Sequence, residues 1–380
     1  MFSDLVQFIR KQFNTNEFIP LHAPIFTGRE KEYVLQAIDS TYVSSVGKYV
    51  DQFEEQVKEY TGAKYAIATV NGTAALHMSM ILAGVKESDI VLTQPLSFIA
   101  TCNAISYIGA EPYFIDIDRR SLSMSSDSLT EFLEAQTELT ASGCFLRTTG
   151  QRISACIPMH TFGFPGEVDL LTEICLRYKI PLIEDAAESI GSLYKGTHTG
   201  RFGLLGTFSF NGNKTITCGG GGIIITDDES LGRLGKHLTT QAKVPHRWEF
   251  VHDHIGYNYR LPNLNAALAC AQLEQLEQFV FDKRSLAKSY SDFFDATAVE
   301  FVREIDKSRA NYWLNAIICK DKVERDELLT FTNDNGVMTR PVWELMHRLE
   351  MFKKCKRSDL PIAEWVADRL VNLPSSVRCK

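Results

Sequence analysis

The stretch TFSFNGNKTITCGGGGIIITDD, residues 207–228, sets one lysine between a Phe-Ser-Phe triplet and a run of four glycines. Ser209 is flanked by Phe208 and Phe210, and Lys214 follows five residues on. A lysine beside glycines first suggests a phosphate-binding loop. That motif needs G-x-x-x-x-G-K-[ST] ahead of a helix, and here GNKT lacks the Gly-Lys pair. The glycines lead instead into the β-branched strand IIITDD, where they let the backbone pass close to something bulky.

Outward from this stretch, helix-like and strand-like patterns alternate from about residue 54 to 228. QFEEQVKEYTG is amphipathic and Gly62 is placed to end it. YAIATV, DIVLTQP, EPYFIDID, SACIPMHTFG and IPLIEDA read as strands, with GTAALHMSMILAGV, SFIATCNAISYIGA, SLTEFLEAQ and DLLTEICLRYK as the helices between them. The pattern is that of an α/β chain whose mostly parallel sheet is covered by helices on both faces. Past residue 250 it changes: PNLNAALACAQLEQLEQFVFDKRSLAKSYSDFF carries helical spacing over some 30 positions, then weaker strand and helix signals follow. The expected organisation is an N-terminal amphipathic helix or arm over 1–20, a large domain over 21–250 and a smaller α+β domain over 251–380.

Ligands of parallel sheets bind at the carboxyl ends of the strands, so the residues just after each strand are the ones to inspect. After YAIATV, Gly72 and Thr73 open a helix whose free N–H groups suit an anion; taken alone, a plain turn and cap is the simpler reading. Phe98, at a strand-to-helix turn, offers either a flat stacking surface or a core ring. After IPLI come two adjacent acids, and a charge at a half-buried strand end needs a partner. Asp185 is the candidate to hold a cationic ring nitrogen; otherwise one acid caps the next helix and the other faces solvent. His160 in MHTFG lines the site or simply finishes a strand.

A phosphate site, an aromatic platform, an acid for a ring nitrogen and a lysine together fit pyridoxal phosphate. Asp185 would keep the pyridine nitrogen protonated. Lys214 would form the Schiff base and carry the proton between carbons. Ser209 and the Gly72–Thr73 turn would bind the phosphate.

Composition is that of an ordinary globular protein: 380 residues, 44% apolar, 23% charged, net charge −7. No apolar run approaches the roughly 20 residues of a membrane helix. MFSDLVQFIRKQFNTNEF has no signal-peptide architecture, and FKKCKR at 352–357 reads as a solvated face, not a nucleic-acid patch. Nine cysteines without C-x-x-C spacing point to reduced thiols in a cytoplasmic setting, with no disulfide framework and no metal site.

The chain resembles the DegT-type sugar aminotransferases, pyridoxal-phosphate enzymes of fold type I that act on nucleotide-linked keto-sugars. The resemblance runs from about residue 20 to the C-terminus. It rests on GKYVDQFEEQVKEYTGAKYAIATVNGTAALHMSM, LSFIATCNAISYIGAEPYFIDID, PMHTFGFPGEVD, IEDAAESIGSLYKG, GTFSFNGNKTITCGGGGIIITDD and GYNYRLPNLNAALACAQL. It implies a large domain built on a mostly parallel seven-stranded sheet, plus a smaller α+β C-terminal domain. It matches Lys214 to the Schiff-base lysine, Asp185 to the ring-nitrogen partner and Phe98 to the stacking aromatic. Gly72, Thr73 and Ser209 match the phosphate site. Asn258 of GYNYR matches an asparagine that reaches the phosphate of the neighbouring subunit's cofactor, and Arg260 a substrate-facing arginine, which implies a homodimer with shared active sites. One departure stands out. Many members carry Gln or His three residues after the aspartate, able to donate to the phenolic oxygen, whereas this chain carries Glu188. An ionised carboxylate would repel a phenolate, so Glu188 is protonated, turned away or bridged by water.

A branch of the family with histidine in place of the lysine deoxygenates sugars; Lys214 implies transamination, with glutamate as the donor. ANYWLNAI and RPVWELMH resemble the branch that aminates UDP-linked 4-keto-6-deoxy-N-acetylhexosamines, on the way to bacillosamine or legionaminic-type sugars. Asn311, Trp313 and His347 then become candidate substrate contacts, against the plainer readings of a turn or capping residue, a small-domain core residue and a helix-surface residue. A dTDP-linked or 3-keto sugar, another fold-type-I activity and a non-enzymatic regulator are the rivals. The chain shows neither a mobile catalytic-cysteine loop nor a DNA-binding segment.

Overall fold

The computed structural model describes residues 2–378. Seven strands form the central sheet: β1 (Tyr65–Thr69), β2 (Ile90–Thr93), β3 (Glu111–Phe114), β4 (Arg152–Ile157), β5 (Ile183–Asp185), β6 (Leu205–Ser209) and β7 (Gly222–Thr226). Their spatial order is β3-β2-β4-β5-β6-β7-β1, with β4 and β5 joined by the parallel bridges Cys156–Leu182 and Met159–Asp185. All run parallel except β7, which pairs antiparallel with both β1 and β6. β7 therefore starts at the sheet edge where the other six end. That reversal is why the glycine run opening it reaches the same edge as Lys214.

The strands are apolar and β-branched because helices cover both faces. Ile67, Ile183, Leu205 and Ile224 pack into one layer with the helix Gly72–Leu82, and Ile223 and Ile225 face Phe53 and Val57 of the helix Lys48–Thr61. Gly222 is demanded by close approach: a β-carbon there would overlap the backbone of Asn71 and the amide of Gly72. The glycine run thus accommodates the neighbouring strand-to-helix turn. An antiparallel hairpin, Thr137–Thr140 with Gly143–Leu146, lies beside the start of β4, a feature the sequence pattern did not signal.

The smaller unit has an antiparallel sheet of Glu300–Phe301, Asn315–Ile318, Leu370–Leu373 and Arg340–Pro341. Two expected boundaries shift. Leu5, Val6 and Ile9 of the helix Phe2–Phe13 pack into the same core as Tyr290, Phe294 and Leu328, so residues 1–20 do not stand apart as an arm. Residues 262–294 form two helices, Asn263–Leu273 and Leu276–Phe294. The break falls where the side chains of Glu274 and Gln275 turn to bond Tyr33 and Glu30. The first helix, buried almost all round, belongs to the large domain's core, and the crossing to the small domain occurs within the second. No helix of the described residues is long and apolar enough to cross a membrane.

Candidate active site

A cleft of about 330 Å³ opens at the carboxyl ends of β1, β5 and β6, lined by Gly72, Thr73, Phe98, Asp185, Glu188, Ser209, Lys214 and Trp313. Eight of the residues singled out in the sequence thus meet in one place.

The anion corner is built by the turn after β1. Asn71 Oδ1 caps the helix by accepting the Ala74 amide at 2.8 Å, which leaves the amides of Gly72 and Thr73 at the open helix end. A β-carbon at Gly72 would stand 2.8 Å from the β-carbon of Ser209 and 3.2 Å from its hydroxyl. Glycine is required for that approach, and it brings Ser209, Thr73 and the two amides together. These are the donors a phosphate needs at a helix N-terminus.

At the other end, Asp185 closes β5. Strand alternation separates the two adjacent acids. Glu184 turns away, accepting the amides of Gly200, Phe202 and Gly203 at 2.7, 2.6 and 2.9 Å and bonding His160 Nε2 at 2.9 Å. It neither caps a helix nor meets solvent, and His160 is its partner. Asp185 faces the cleft, its Oδ2 accepting the Thr101 hydroxyl at 2.6 Å. Burial pushes its carboxyl up from the usual range despite that bond. A buried carboxylate with capacity to spare suits a protonated ring nitrogen, which would restore its ionised form.

Lys214 lies between. Its Nζ is 3.2 Å from Glu188 Oε1 and 4.3 Å from the centre of the Trp313 ring. Trp313 is held in turn by its indole N–H on the carbonyl of Asn213, at 2.7 Å, and by Lys283 Nζ on its own carbonyl, at 3.2 Å. Lys283 is fully buried and also bonds Ser375 O at 2.5 Å and His22 Nε2 at 3.0 Å. Burial draws its amine down to about 7. Phe98, half exposed at 47%, faces Trp343 edge-on at 6.0 Å across the mouth of the cleft.

Residues 24–380 match the model of the DegT/DnrJ/EryC1/StrS aminotransferase family. The chain belongs to that family. It is 37% identical over 359 residues to the GDP-perosamine synthase of Escherichia coli O157:H7, covering 94% of this chain and 93% of that one. It is 33% identical over 360 residues to the GDP-perosamine synthase of Vibrio cholerae, covering 94% of each. Among crystal structures it superposes on a DegT DnrJ EryC1 StrS aminotransferase from Brucella abortus with a TM-score of 0.84 at 26% identity, over 91% of this chain and 90% of that one. This family member is a sugar aminotransferase, and its cofactor is pyridoxal phosphate. The residues present fit that cofactor: donors for its phosphate, a ring over its face, an acid for its nitrogen and an amine for its aldehyde.

Four expected contacts fall outside this cleft. Asn311 is fully buried beneath it. Its Nδ2 donates to Glu188 O (2.9 Å), Ile190 O (2.8 Å) and Thr215 Oγ1 (3.3 Å), and its Oδ1 accepts the Trp313 amide at 2.8 Å. Both hydrogens of its amide are spent inside the protein, leaving no donor for a sugar. His347 is buried in a short 3-10 turn, bonded to Glu364 at 2.7 Å and pushed down to about 4, chiefly by burial. It is neither on a helix surface nor in the cleft. Asn258 and Arg260 lie at the protomer surface, bonded to each other at 3.2–3.3 Å and away from their own chain's cleft. In the other direction, sequence reasoning passed over Thr101, Trp343 and Lys283. Thr101 alone carried a signal, three residues after Phe98 on the first turn of the helix Ile99–Tyr107.

Asn311→Ala would strand two buried carbonyls, each costing about 1–3 kcal/mol. The expected loss is roughly 3 kcal/mol of stability, measured by urea unfolding of the cofactor-free protein. A change below about 1 kcal/mol with a raised KM for the sugar would return Asn311 to the substrate.

Proposed function

We propose that this family member moves an amino group from glutamate to the C4 ketone of a nucleotide-linked 4-keto-6-deoxy sugar, and that the nucleotide is GDP. The observation that carries the reading is Lys214, held at 3.2 Å from a buried carboxyl, in a cleft with an anion corner at one end and Asp185 at the other. The relatives named GDP-perosamine synthase favour GDP over the UDP-linked hexosamines expected from ANYWLNAI and RPVWELMH. Within those two segments Asn311 and His347 are spent on internal bonds, so Trp313 and Trp343 are the sugar-side candidates.

Bound pyridoxal phosphate supplies the electron sink for the proton shift. Lys214 attaches the cofactor, then takes and returns the migrating proton once its amine is free. Asp185 would hold the ring nitrogen's charge, the helix N-terminus with Thr73 and Ser209 would fix the phosphate, and Phe98 would offer its ring for stacking. Glutamate leaves as a keto acid in the first half, and the sugar's ketone oxygen leaves as water in the second. One site serves both halves, giving ping-pong kinetics.

A second copy of the chain completes the reading. Trp248, Phe250 and Ile255 are 70%, 79% and 87% exposed on the segment leading to Asn258. Such a patch favours burial against a partner subunit, which would carry Asn258 and Arg260 to the partner's cofactor and substrate.

The test is an absorbance titration. Glutamate should bleach the visible band of the lysine-bound cofactor, and one member of a panel of GDP-, UDP- and dTDP-4-keto-6-deoxy sugars should restore it. Restoration by the GDP sugar alone supports the proposal in full. Restoration only by a UDP sugar corrects the nucleotide, and restoration by none removes the substrate class.

A further inference from the structure

Glu188 occupies a place that the cofactor reading leaves without a role, and its surroundings are unusual. Its side chain is wholly buried. One oxygen, Oε2, accepts the amide of Phe162 at 2.8 Å; the other, Oε1, faces Lys214 Nζ at 3.2 Å. Phe162 presents that amide from a left-handed backbone, φ 56°, uncommon for a bulky residue. With Oε2 engaged by that amide, Oε1 is the oxygen placed to exchange a proton with Lys214. The sequence left this residue protonated, turned away or bridged by water to the phenolic oxygen. Its carboxyl lines the cleft and meets Lys214 directly.

We propose that Glu188 and Lys214 share one proton, with Glu188 holding it while the lysine's amine is bonded to the cofactor. This rests on the assignment of Lys214 as the attachment point. An ammonium cannot attack an aldehyde, so the lysine must first become neutral. The Nζ–H bond breaks, an Oε1–H bond forms, and the ion pair becomes a neutral acid beside a neutral amine. When the amine is released the same proton returns, and no electrons are exchanged. Burial favours the neutral pair: it pushes Glu188 up to about 7 even beside the lysine's charge and the Phe162 amide, and Asp185 pushes the same way. The other charges and titratable groups nearby are His22, facing Lys214 and held neutral by burial, and Asp185 itself. Once Lys214 is bonded its charge no longer favours the carboxylate, and Glu188 becomes a buried neutral acid able to donate to the phenolic oxygen. A protonated glutamate thereby does the work of an amide or imidazole donor.

The experiment follows capture of pyridoxal phosphate by the cofactor-free protein as a function of pH, wild type beside Glu188→Gln. Glutamine keeps the size and can still accept the Phe162 amide. In the wild type, capture should rise to about pH 7 and then flatten, because above that pH the internal exchange fixes the neutral-lysine population. In the variant it should keep rising about tenfold per pH unit, with no break near 7. The cofactor's own titrations appear in both profiles and cancel in their ratio, which should fall about fivefold between pH 7 and 8 and about tenfold over the next unit. Infrared difference spectra of the two loaded proteins should show a protonated carboxyl in the wild type alone. Parallel profiles, or a carboxylate signature in the loaded wild type, would overturn the shared proton and leave the cofactor reading intact. No capture by the wild type at all would remove both.

Discussion

Lys214→Ala is expected to abolish covalent attachment of pyridoxal phosphate and to lower turnover by about 10⁴-fold, the upper range for loss of a positioned proton carrier. Two jobs disappear with one side chain. The fold should survive: Glu188 loses its partner, but burial already favours its neutral form, so no stranded charge is created. The serious competitor is Lys283, a buried amine drawn down to about 7 and therefore substantially neutral and nucleophilic at working pH. Its amine is occupied by Trp313 O, Ser375 O and His22, and it is not among the residues lining the cleft. It should not rescue attachment. The measurement is the visible band after dialysis against pyridoxal phosphate, with borohydride trapping and peptide mapping. A trapped cofactor on Lys283 would show that the cleft is larger or more mobile than these contacts allow.

What the sequence made legible follows from topology. Gly72, Thr73, Phe98, Asp185 and Ser209 each close a strand or open the helix after it, and parallel strands deliver all such residues to one edge. Lys214 reaches that edge because it lies in the loop between β6 and the reversed β7. Local order along the chain was enough for these. It was not enough for residues whose position depends on the small domain. Trp343 and Lys283 enter through packing between segments far apart in sequence, and no local pattern reports that.

Asn311 shows the opposite failure. Its neighbourhood suggested a substrate contact, yet its side-chain amide bonds the buried carbonyls of Glu188 and Ile190 in the turn after β5. Those carbonyls are far away in sequence, so nothing beside Asn311 reports their need for a donor. The helical spacing over 262–294 was read correctly as helix, but periodicity is blind to the two-residue break at Glu274 and Gln275, whose side chains bond Tyr33 and Glu30. Similarly, the amphipathic start of the chain was legible as a helix, but which core it served was not.

Asp185→Asn should leave pyridoxal phosphate attached to Lys214 and still cost about 10³ in turnover. The reasoning is electrostatic. A carboxylate about 4 Å from a ring cation, at the effective dielectric of a protein site, contributes roughly 4 kcal/mol, and each 1.36 kcal/mol is about tenfold in rate. Asparagine is the same size, its oxygen can keep the Ala187 amide, and the Thr101 hydroxyl can turn to accept from its NH2, so packing is preserved. Its amide would donate to the ring nitrogen and hold it unprotonated, which removes the electron sink while leaving the phosphate corner and the lysine untouched. Attachment and turnover should therefore separate: an unchanged stoichiometry of bound cofactor by absorbance, with kcat reduced and with stability within about 1 kcal/mol of wild type, the ordinary range for a packing-neutral change. Asn311→Ala should behave in reverse, losing stability first. A variant at Asp185 that keeps turnover within about tenfold of wild type would mean that the ring nitrogen needs no charge partner. The buried acid at the end of β5 would then be explained by its bonds from the Thr101 hydroxyl and the Ala187 amide.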